Sequence, residues 1–274
     1  MSCRRIDWMN QRPHTSERIE RAKRWLQQRA RGQVPITPEE RATWTPLLQQ
    51  GWRAGELASI RENLQCQLAI RAKPAPEKAW QRLQSDLSKS VADSDRMEQT
   101  LMRFLAIHQL SLKKLRAQLL RMGLAPPVLQ VANRLYQDQL ANQRAIAVRA
   151  TWYERQIEHV LSSQNVEFQT ERDILAADPD ARCTPDIWFP EPVTIRVDDR
   201  MHQIHWLDAK SMLGTPVFKM QLSSLKKQAT KYHEKFGPGA LVFQYGFDTD
   251  LARHLPGTLL LDYLPSDPML DDAV

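Results

Sequence analysis

The sequence is poor in the residues that build disulfide scaffolds and cysteine metal sites. Its three cysteines, Cys3, Cys66 and Cys183, are odd in number and widely spaced, and no Cys-x-x-Cys pair occurs. This pattern argues against both a disulfide framework and a cysteine-based zinc site, and it fits a reducing compartment. The chain also lacks a glycine-rich phosphate loop, which disfavours an ATP-driven enzyme.

Long apolar runs are missing as well. No stretch reaches the roughly 18 apolar residues that a membrane span needs, and no apolar run follows the basic start of the chain as it would in a secretory signal. We therefore expect an intracellular protein that is not secreted and has no membrane partner. Its compartment would be the cytoplasm in a prokaryote, or the nucleus and cytoplasm in a eukaryote.

Charge is divided unevenly along the chain. Residues 1–150 contain 26 Lys and Arg against 13 Asp and Glu, whereas residues 151–274 contain 12 against 19. A basic half favours a polyanionic partner, because neutralising phosphates releases counterions. An acidic half is unusual in a simple nucleic-acid binder unless some of its carboxylates hold cations. The alternative, that the surface helices of the basic half are merely rich in arginine, stays open.

Residues 1–145 are predicted to form a basic, all-helical region. Helix caps and apolar residues at helical spacing recur from Ser16 to Arg121, and Pro126-Pro127 opens a further helical tract that runs to Ser163. Two helix pairs, over 47–58 and 101–121, resemble helix-turn-helix units. Packing within an ordinary helical domain explains such pairs equally well.

After Asn165 the pattern changes to the alternation that is typical of strands. A plausible hairpin turn, Asp198-Asp199-Arg200, lies between two alternating segments, and an amphipathic helix covers 216–236. The strand candidates are Val166–Phe168, Ile187–Phe189, Val193–Val197, Gln203–Leu207, Ala240–Tyr245 and Thr258–Leu261. This order predicts an α/β domain with a mixed sheet over residues 146–265, followed by an acidic tail, 266–274.

Four polar residues lie where this layout would bring them together. Glu154 belongs to the helix before the sheet, Asp186 follows Thr184-Pro185 at the head of a strand, and Asp208 and Lys210 end the next strand. Because side chains alternate along a strand, Asp208 and Lys210 share one face. Three converging carboxylates repel one another unless a cation is present, and an oxygen-only ligand set suits Mg²⁺.

Three carboxylates and one lysine at such a site favour phosphodiester hydrolysis. Magnesium lowers the pKa of the attacking water and stabilises charge on the phosphate, while Lys210 adds a positive charge beside that water. Gln228 and Tyr232, one turn apart on the following helix, would face the same cleft. An ordinary amphipathic helix explains these two equally well, and isolated Pro-Asp or Asp-x-Lys pairs are common on surfaces.

Together these motifs resemble the PD-(D/E)xK nuclease superfamily. More narrowly, they resemble the TPD-motif nucleases, the family of the codanin-interacting nuclease of animals. The narrower resemblance rests on Cys183-Thr-Pro-Asp-Ile187, Ile204-His-Trp-Leu-Asp-Ala-Lys210 and Phe236-Gly-Pro-Gly-Ala-Leu-Val-Phe-Gln-Tyr-Gly246. It is strong across 153–247, fainter across 97–139 and absent before about residue 90.

The resemblance implies a restriction-endonuclease-like fold with a mixed central sheet flanked by helices. It implies that Mg²⁺, or Mn²⁺ in its place, is held by Glu154, Asp186 and Asp208, that Lys210 is the catalytic lysine, and that Gln228 and Tyr232 support the site. Glu158 is the rival of Glu154 as the helix ligand. Glu171 also occupies a position where the family carries an acid, and we interpret it as the N-terminal acid of a short helix.

The implied activity is hydrolysis of structured or single-stranded DNA by a Holliday-junction-resolvase-like nuclease. Nucleic acid, most simply DNA, is the expected partner. A homodimer and, in a eukaryote, a codanin-like protein partner are further options. The alternative function is a catalytically weak nucleic-acid-binding scaffold that recruits a partner protein.

Overall fold

The computed structural model of the protein describes residues 5–29, 36–71, 75–108 and 110–263. The acidic tail predicted at 266–274 lies outside the described residues. Contacts between residues divide the chain into two compact units. We call them the sheet unit (described residues of 1–22, 51–60 and 148–274) and the helical unit (described residues of 23–50 and 61–147).

Helices account for most of the chain before residue 163. Two short strands, β1 (Arg5–Asp7) and β2 (Pro13–His14), precede them, so the prediction of an all-helical region is wrong at its start. The helices are α1 (Ser16–Arg29), α2 (Pro38–Ala42), α3 (Thr45–Gln49), α4 (Ala54–Arg71), α5 (Glu77–Ser88), α6 (Ser94–His108), α7 (Leu112–Arg121) and α8 (Pro126–Ser163).

The second part of the chain alternates strands and helices, as the change of periodicity predicted. Its elements are β3 (Gln169–Thr170), α9 (Glu171–Ala177), β4 (Ile187–Val197), β5 (Arg200–Lys210), α10 (Lys219–Phe236), β6 (Gly239–Phe243), β7 (Phe247–Asp248), a 3-10 helix (Thr249–His254) and β8 (Thr258–Asp262). Among the described helices, none is both long and apolar enough to cross a membrane.

Six of the described strands form one mixed sheet in the order β1-β4-β5-β6-β8, with β3 paired to the other end of β4. Strands β4 and β5 are antiparallel, whereas β1, β6 and β8 each join their neighbour in parallel. Strand β2 pairs separately with β7. The predicted α/β class with a mixed sheet is therefore confirmed.

Strands β4 and β5 form the predicted hairpin. Its two turn residues, Asp198 and Asp199, have φ angles of 46° and 61°. A two-residue turn with both central residues at positive φ matches the right-handed twist of paired strands, and Asp tolerates this conformation better than most residues. The turn therefore fixes the register of the hairpin from its closed end.

The prediction of a strand at 166–168 is wrong by a few residues, because Val166 takes part in the termination of the preceding helix. Asn165 adopts a φ of 54°, and the N–H of Val166 donates to the carbonyl of Leu161 at 3.1 Å. A left-handed residue followed by such a bond is a common helix terminator. The strand pairing begins only at Gln169, opposite Trp188.

Helices cover both faces of the sheet within the sheet unit. On one face, Tyr153, Ile157 and Leu161 project from successive turns of α8 into a buried cluster that includes Ala240 and Val242 of β6. On the other face, residues of α10 pack against Trp206, Leu241 and Phe243. Alternate residues of β6 thus serve opposite layers, which explains why this strand is apolar throughout.

The helical unit has a core of its own. Buried apolar residues from α5, α6, α7 and the first turns of α8 form one cluster, which includes Leu83, Leu87, Met97, Leu101, Leu105, Leu115, Leu119 and Val128. The helix-turn-helix interpretation of 101–121 stays a prediction. The same interpretation of 47–58 is weakened, since Glu56, Leu57 and Ala58 are buried and cannot contact the bases in a DNA groove.

Residues 5–12 contact the sheet at two strands, β4 and β8. Strand β1 pairs with 194–196 of β4, and the Trp8 indole N–H donates to the Asp262 carbonyl at 2.8 Å. The Asp262 carboxylate accepts the backbone N–H groups of Gln11 and Arg12, both at 2.7 Å. Asp262 is buried, so these bonds replace the water that its carboxylate loses.

Replacing this carboxylate should destabilise the sheet unit. In Asp262→Ala the N–H groups of Gln11 and Arg12 lose their acceptor inside a part-buried contact, and we expect the free energy of unfolding to fall by about 2 kcal/mol. Urea denaturation followed by circular dichroism measures the loss. The matched control is Asp180→Ala at an exposed aspartate, which should change stability by less than about 0.5 kcal/mol. Equal stability of the two variants would contradict this role of Asp262.

Candidate active site

Asp186 and Asp208 are cross-strand neighbours at the open end of the β4–β5 hairpin. Ile187 pairs with Leu207, so in the antiparallel register Asp186, one residue before β4, lies opposite Asp208. Directly opposed residues point to the same face of a sheet. The Asp186 carboxylate also accepts the backbone N–H of Ala209 at 2.7 Å, which fixes it against β5.

Lys210 is the cation of this site. Its ammonium forms an ion pair with Oδ2 of Asp208, as expected for two residues that share a strand face. The Asp208 side chain is 2% exposed and that of Lys210 is 17% exposed, so little water screens the pair. No hydrogen bond from any described residue reaches Oδ2 of Asp208, which leaves the lysine as its partner.

Helix α10 reaches the other oxygen of Asp208. Both the Gln228 amide and the Tyr232 hydroxyl lie 3.4 Å from Oδ1, and the amide donates to the hydroxyl at 2.9 Å. The hydroxyl in turn donates to the Thr184 carbonyl at 2.7 Å. Tyr232 therefore links Asp208 to the loop that carries Asp186. Burial and the charge of Asp208 raise the pKa of Tyr232 well above its ordinary value, so the hydroxyl stays protonated and donates.

Glu154 approaches from α8, which covers the face of the sheet opposite to α10. Partial burial raises the pKa of its carboxyl, and the negative charges of Glu171, Asp208 and Glu158 raise it further, while Lys210 lowers it. The charges of Asp208 and Lys210 thus both shift the pKa of Glu154. Glu158, the rival position, lies one turn further along the same helix.

The pKa of Asp186 is raised to about 8, first by burial and then by the charge of Asp208. Lys210 and the N–H of Ala209 act in the opposite sense, and Glu154 adds to the repulsion. Two carboxylates side by side, one of them buried, resist simultaneous ionisation. A carboxylate whose pKa is raised by desolvation and that lies beside a specific charged partner is a candidate functional group.

Two contacts of the site were missed by the sequence analysis. The Thr184 hydroxyl donates to Glu171 at 2.6 Å, so Glu171 is both the first residue of α9 and a neighbour of the Thr-Pro-Asp loop. The Lys235 ammonium donates to the Cys183 carbonyl at 3.0 Å. The family's acid at the position of Glu171 was a usable signal, whereas nothing in the local sequence marks Lys235.

The donor set suits a hard cation, although its present arrangement is not a finished ligand shell. In the described part of the chain, no three His, Cys, Asp or Glu side chains are grouped closely enough to hold a metal ion. The ammonium of Lys210 is the positive charge next to Asp208. The Asp208 oxygen that lacks a hydrogen bond, and the mutual repulsion of the acids, fit a divalent ion with oxygen ligands.

Comparison with known proteins identifies the family. The profile described as "Protein of unknown function TPD sequence-motif" matches residues 128–264, half of the chain. The chain belongs to this family. No solved structure matches the chain, so the restriction-endonuclease-like description of its sheet unit stays a prediction.

Several relatives of this TPD-family chain carry a functional name. It is 30% identical over 112 residues to CDAN1-interacting nuclease 1 of Gallus gallus, which covers 40% of the chain and 39% of that protein. The protein of the same name in Mus musculus is 30% identical over 121 residues, 43% of the chain and 40% of that protein. An uncharacterised protein of Acanthamoeba polyphaga mimivirus is 37% identical over 116 residues, 42% and 40% of the two chains. The chain thus spans about two fifths of the length of the curated relatives it matches, within a nuclease-related family.

Neutralising Asp186 should stabilise the metal-free protein at high pH. A carboxyl whose folded pKa of about 8 exceeds its unfolded value of 3.8 takes up protons on folding between these two pH values. Stability contributed by its protonated form is therefore lost as pH rises through this window. Asp186→Asn, which resembles the protonated acid and keeps an acceptor for Ala209, should avoid this loss.

We expect Asp186→Asn to unfold at a higher temperature than the wild-type protein at about pH 9, and to differ little at about pH 5. Differential scanning calorimetry in EDTA at the two pH values measures this. The control is Asp180→Asn at an exposed position, which should track the wild-type protein at both. A lower unfolding temperature of Asp186→Asn at high pH would show that the ionised carboxylate stabilises the fold.

Proposed function

We propose that this chain is a metal-dependent nuclease that hydrolyses phosphodiester bonds, with its active centre at Asp186, Asp208 and Lys210. The observation that carries the proposal is a buried carboxylate, Asp208, opposed by the half-buried carboxylate of Asp186 beside one lysine at the end of an antiparallel strand pair. Such a group costs stability unless a ligand compensates it. The names of the relatives support a nuclease, and the donor set supports one that uses Mg²⁺ or Mn²⁺.

Asp186 and Asp208 would hold the metal, with Glu154 completing the set from α8. When bound, the metal would supply a water of lowered pKa and would neutralise charge on the phosphate. With a metal bound, Lys210 would no longer be needed as the partner of Asp208 and would turn its ammonium toward the attacking water or the phosphate oxygens. Its side chain is flexible enough to make this change by rotation about its own bonds.

Gln228 and Tyr232 would act as positioning residues. Both meet Asp208 on the oxygen that Lys210 does not contact, so they keep the carboxylate oriented while the other oxygen exchanges partners. Tyr232 also holds the Thr184 carbonyl and so the loop that ends in Asp186. Through these two contacts, Tyr232 would hold the distance between the Asp186 and Asp208 carboxylates constant.

DNA, structured or single-stranded, is the proposed substrate, because the first 150 residues are strongly basic. A codanin-like protein would be a partner if the chain is eukaryotic, since several relatives are named for such an interaction. The competing proposal is a scaffold that binds nucleic acid and recruits a partner without cleaving. That proposal has no use for two adjacent carboxylates, which repel phosphate.

Cleavage should require a divalent metal and Asp186. We expect labelled single-stranded or four-way DNA to be cut in Mg²⁺ or Mn²⁺, poorly in Ca²⁺ and not in EDTA. Asp186→Ala should abolish cleavage, and Asp186→Ala/Lys210→Ala should be about equally inactive, because the two groups act as a unit. Asp180→Ala is the control and should cleave like the wild-type protein. Full activity in EDTA, or in Asp186→Ala, would refute the proposed mechanism. No cleavage by the wild-type protein in any of these metals would leave the scaffold as the better account.

Lys210→Arg tests the role of the lysine more finely. Arginine keeps the positive charge, but its planar fork is wider and cannot place a point charge at the same position. We expect cleavage to fall by at least about tenfold while metal-free DNA binding is unchanged. Single-turnover cleavage and fluorescence anisotropy measure the two effects. Wild-type cleavage by Lys210→Arg would mean that any cation suffices at this position.

A further inference from the structure

A large cavity lies away from the candidate active site, within the helical unit. It is an open groove of ≈ 950 Å³ between α5 and α6. One wall runs from Pro76 to Ser90 and the other from Arg96 to His108. Neither the proposed reaction nor the family match uses this groove, since the match begins at residue 128.

Positive charge lines both walls. The wall of α5 carries Lys78, Arg82 and, just after the helix, Lys89, and the wall of α6 carries Arg96 and Arg103. All five side chains belong to exposed residues, and none forms an ion pair with a carboxylate of the described chain. Asp86 is the one acidic residue among those that line the groove. The groove is therefore strongly cationic.

The floor of the groove is apolar. Leu83 and Phe104 are buried beneath it, and Ile107 stands 64% exposed at its side. The ring of His108 packs on that of Phe104 with centroids 4.5 Å apart. Together with the parts of Leu83 and Phe104 that line the groove, Ile107 gives it an apolar surface that the apolar face of a ligand can cover.

We propose that this groove binds single-stranded nucleic acid, with phosphates on the cationic walls and unstacked bases on the apolar floor. The proposal rests on the proposed function in taking nucleic acid as the ligand, and it adds a binding site outside the catalytic centre. Arginine suits the role, because its guanidinium both pairs with phosphate and stacks on bases.

A single strand fits the groove better than a duplex does. The bases of a duplex are stacked and paired inside it, so only phosphates and base edges face a protein. Such a ligand gains nothing from the floor formed by Leu83, Phe104 and Ile107. A single strand can turn its bases toward an apolar surface while its backbone follows a charged groove.

The test compares charge removal inside and outside the groove. Arg82→Gln/Arg103→Gln removes one cation from each wall, and Arg121→Gln/Arg144→Gln removes two exposed arginines elsewhere in the helical unit. Binding of a labelled oligothymidylate is measured by fluorescence anisotropy at several salt concentrations. EDTA is present throughout, so that no cleavage occurs and the result does not depend on the nuclease activity.

The groove variant should bind at least about tenfold more weakly, with a salt slope lower by about 1.4, since each phosphate contact to a single strand contributes about 0.7. The control pair should stay close to the wild-type protein. Ile107→Gln should weaken binding with an unchanged slope, because it alters the floor and no charge. Its side chain is exposed, so the fold should tolerate the change.

Three results would overturn the proposal. The first is unchanged oligothymidylate binding in the groove variant, the outcome expected if the groove instead takes an acidic protein segment. The second is an equal loss in both arginine pairs, which indicates a diffuse charge effect. The third is an equal loss for the single strand and a duplex of the same length. If the protein cleaves no DNA but shows the expected binding pattern, the proposed nuclease activity is refuted and the proposed binding site in the groove is retained.

Discussion

The candidate site depends on a shift of register within β4. Between Ile187 and Val193 this strand uses six steps, whereas β5 uses three between Leu207 and Ile204. The extra residues include Pro190 and Pro192, which have no N–H to give to a ladder and are tolerated at such irregularities. Without the bulge, the turn at Asp198-Asp199 would set a register in which Phe189 lies opposite Asp208. The bulge brings Asp186 there instead, and the two carboxylates meet.

Placing Asp186 beside Asp208 lowers the stability of the fold, and the residues around the two carboxylates offset part of this loss. Burial and mutual repulsion push the pKa of Asp186 to about 8, so the metal-free site is relieved by holding a proton. Lys210 supplies the opposite charge to Asp208, and Tyr232 and Gln228 meet its second oxygen. Residues kept at a cost to stability are usually kept for function. If the site holds a divalent ion as proposed, that ion would stabilise the fold, because it would relieve the repulsion of both carboxylates at once.

The elements that the sequence analysis predicted well are those with a local cause. The two-residue turn at Asp198-Asp199 needs residues that tolerate positive φ, and the shared face of Asp208 and Lys210 follows from strand alternation alone. The elements that it missed have a distant cause. Strand β1 is only three residues long and exists because β4 offers it an edge, and the contact of Lys235 with Cys183 depends on where α10 lies. No periodicity in the sequence encodes either.

The same distinction changes the view of the first 60 residues. By sequence they belong to a basic helical region that ends at 145, yet residues 5–22 and 51–60 share a compact unit with the sheet. Glu56, fully buried, pairs with Arg12 at 2.5 Å and accepts the backbone N–H of Arg53 at 2.8 Å. Ser59 accepts the N–H of Leu213, three residues beyond Lys210. Because the family match begins at residue 128, these supports lie outside it. The matched segment carries the candidate chemistry, and the stability of its sheet rests in part on a segment that the family resemblance does not reveal.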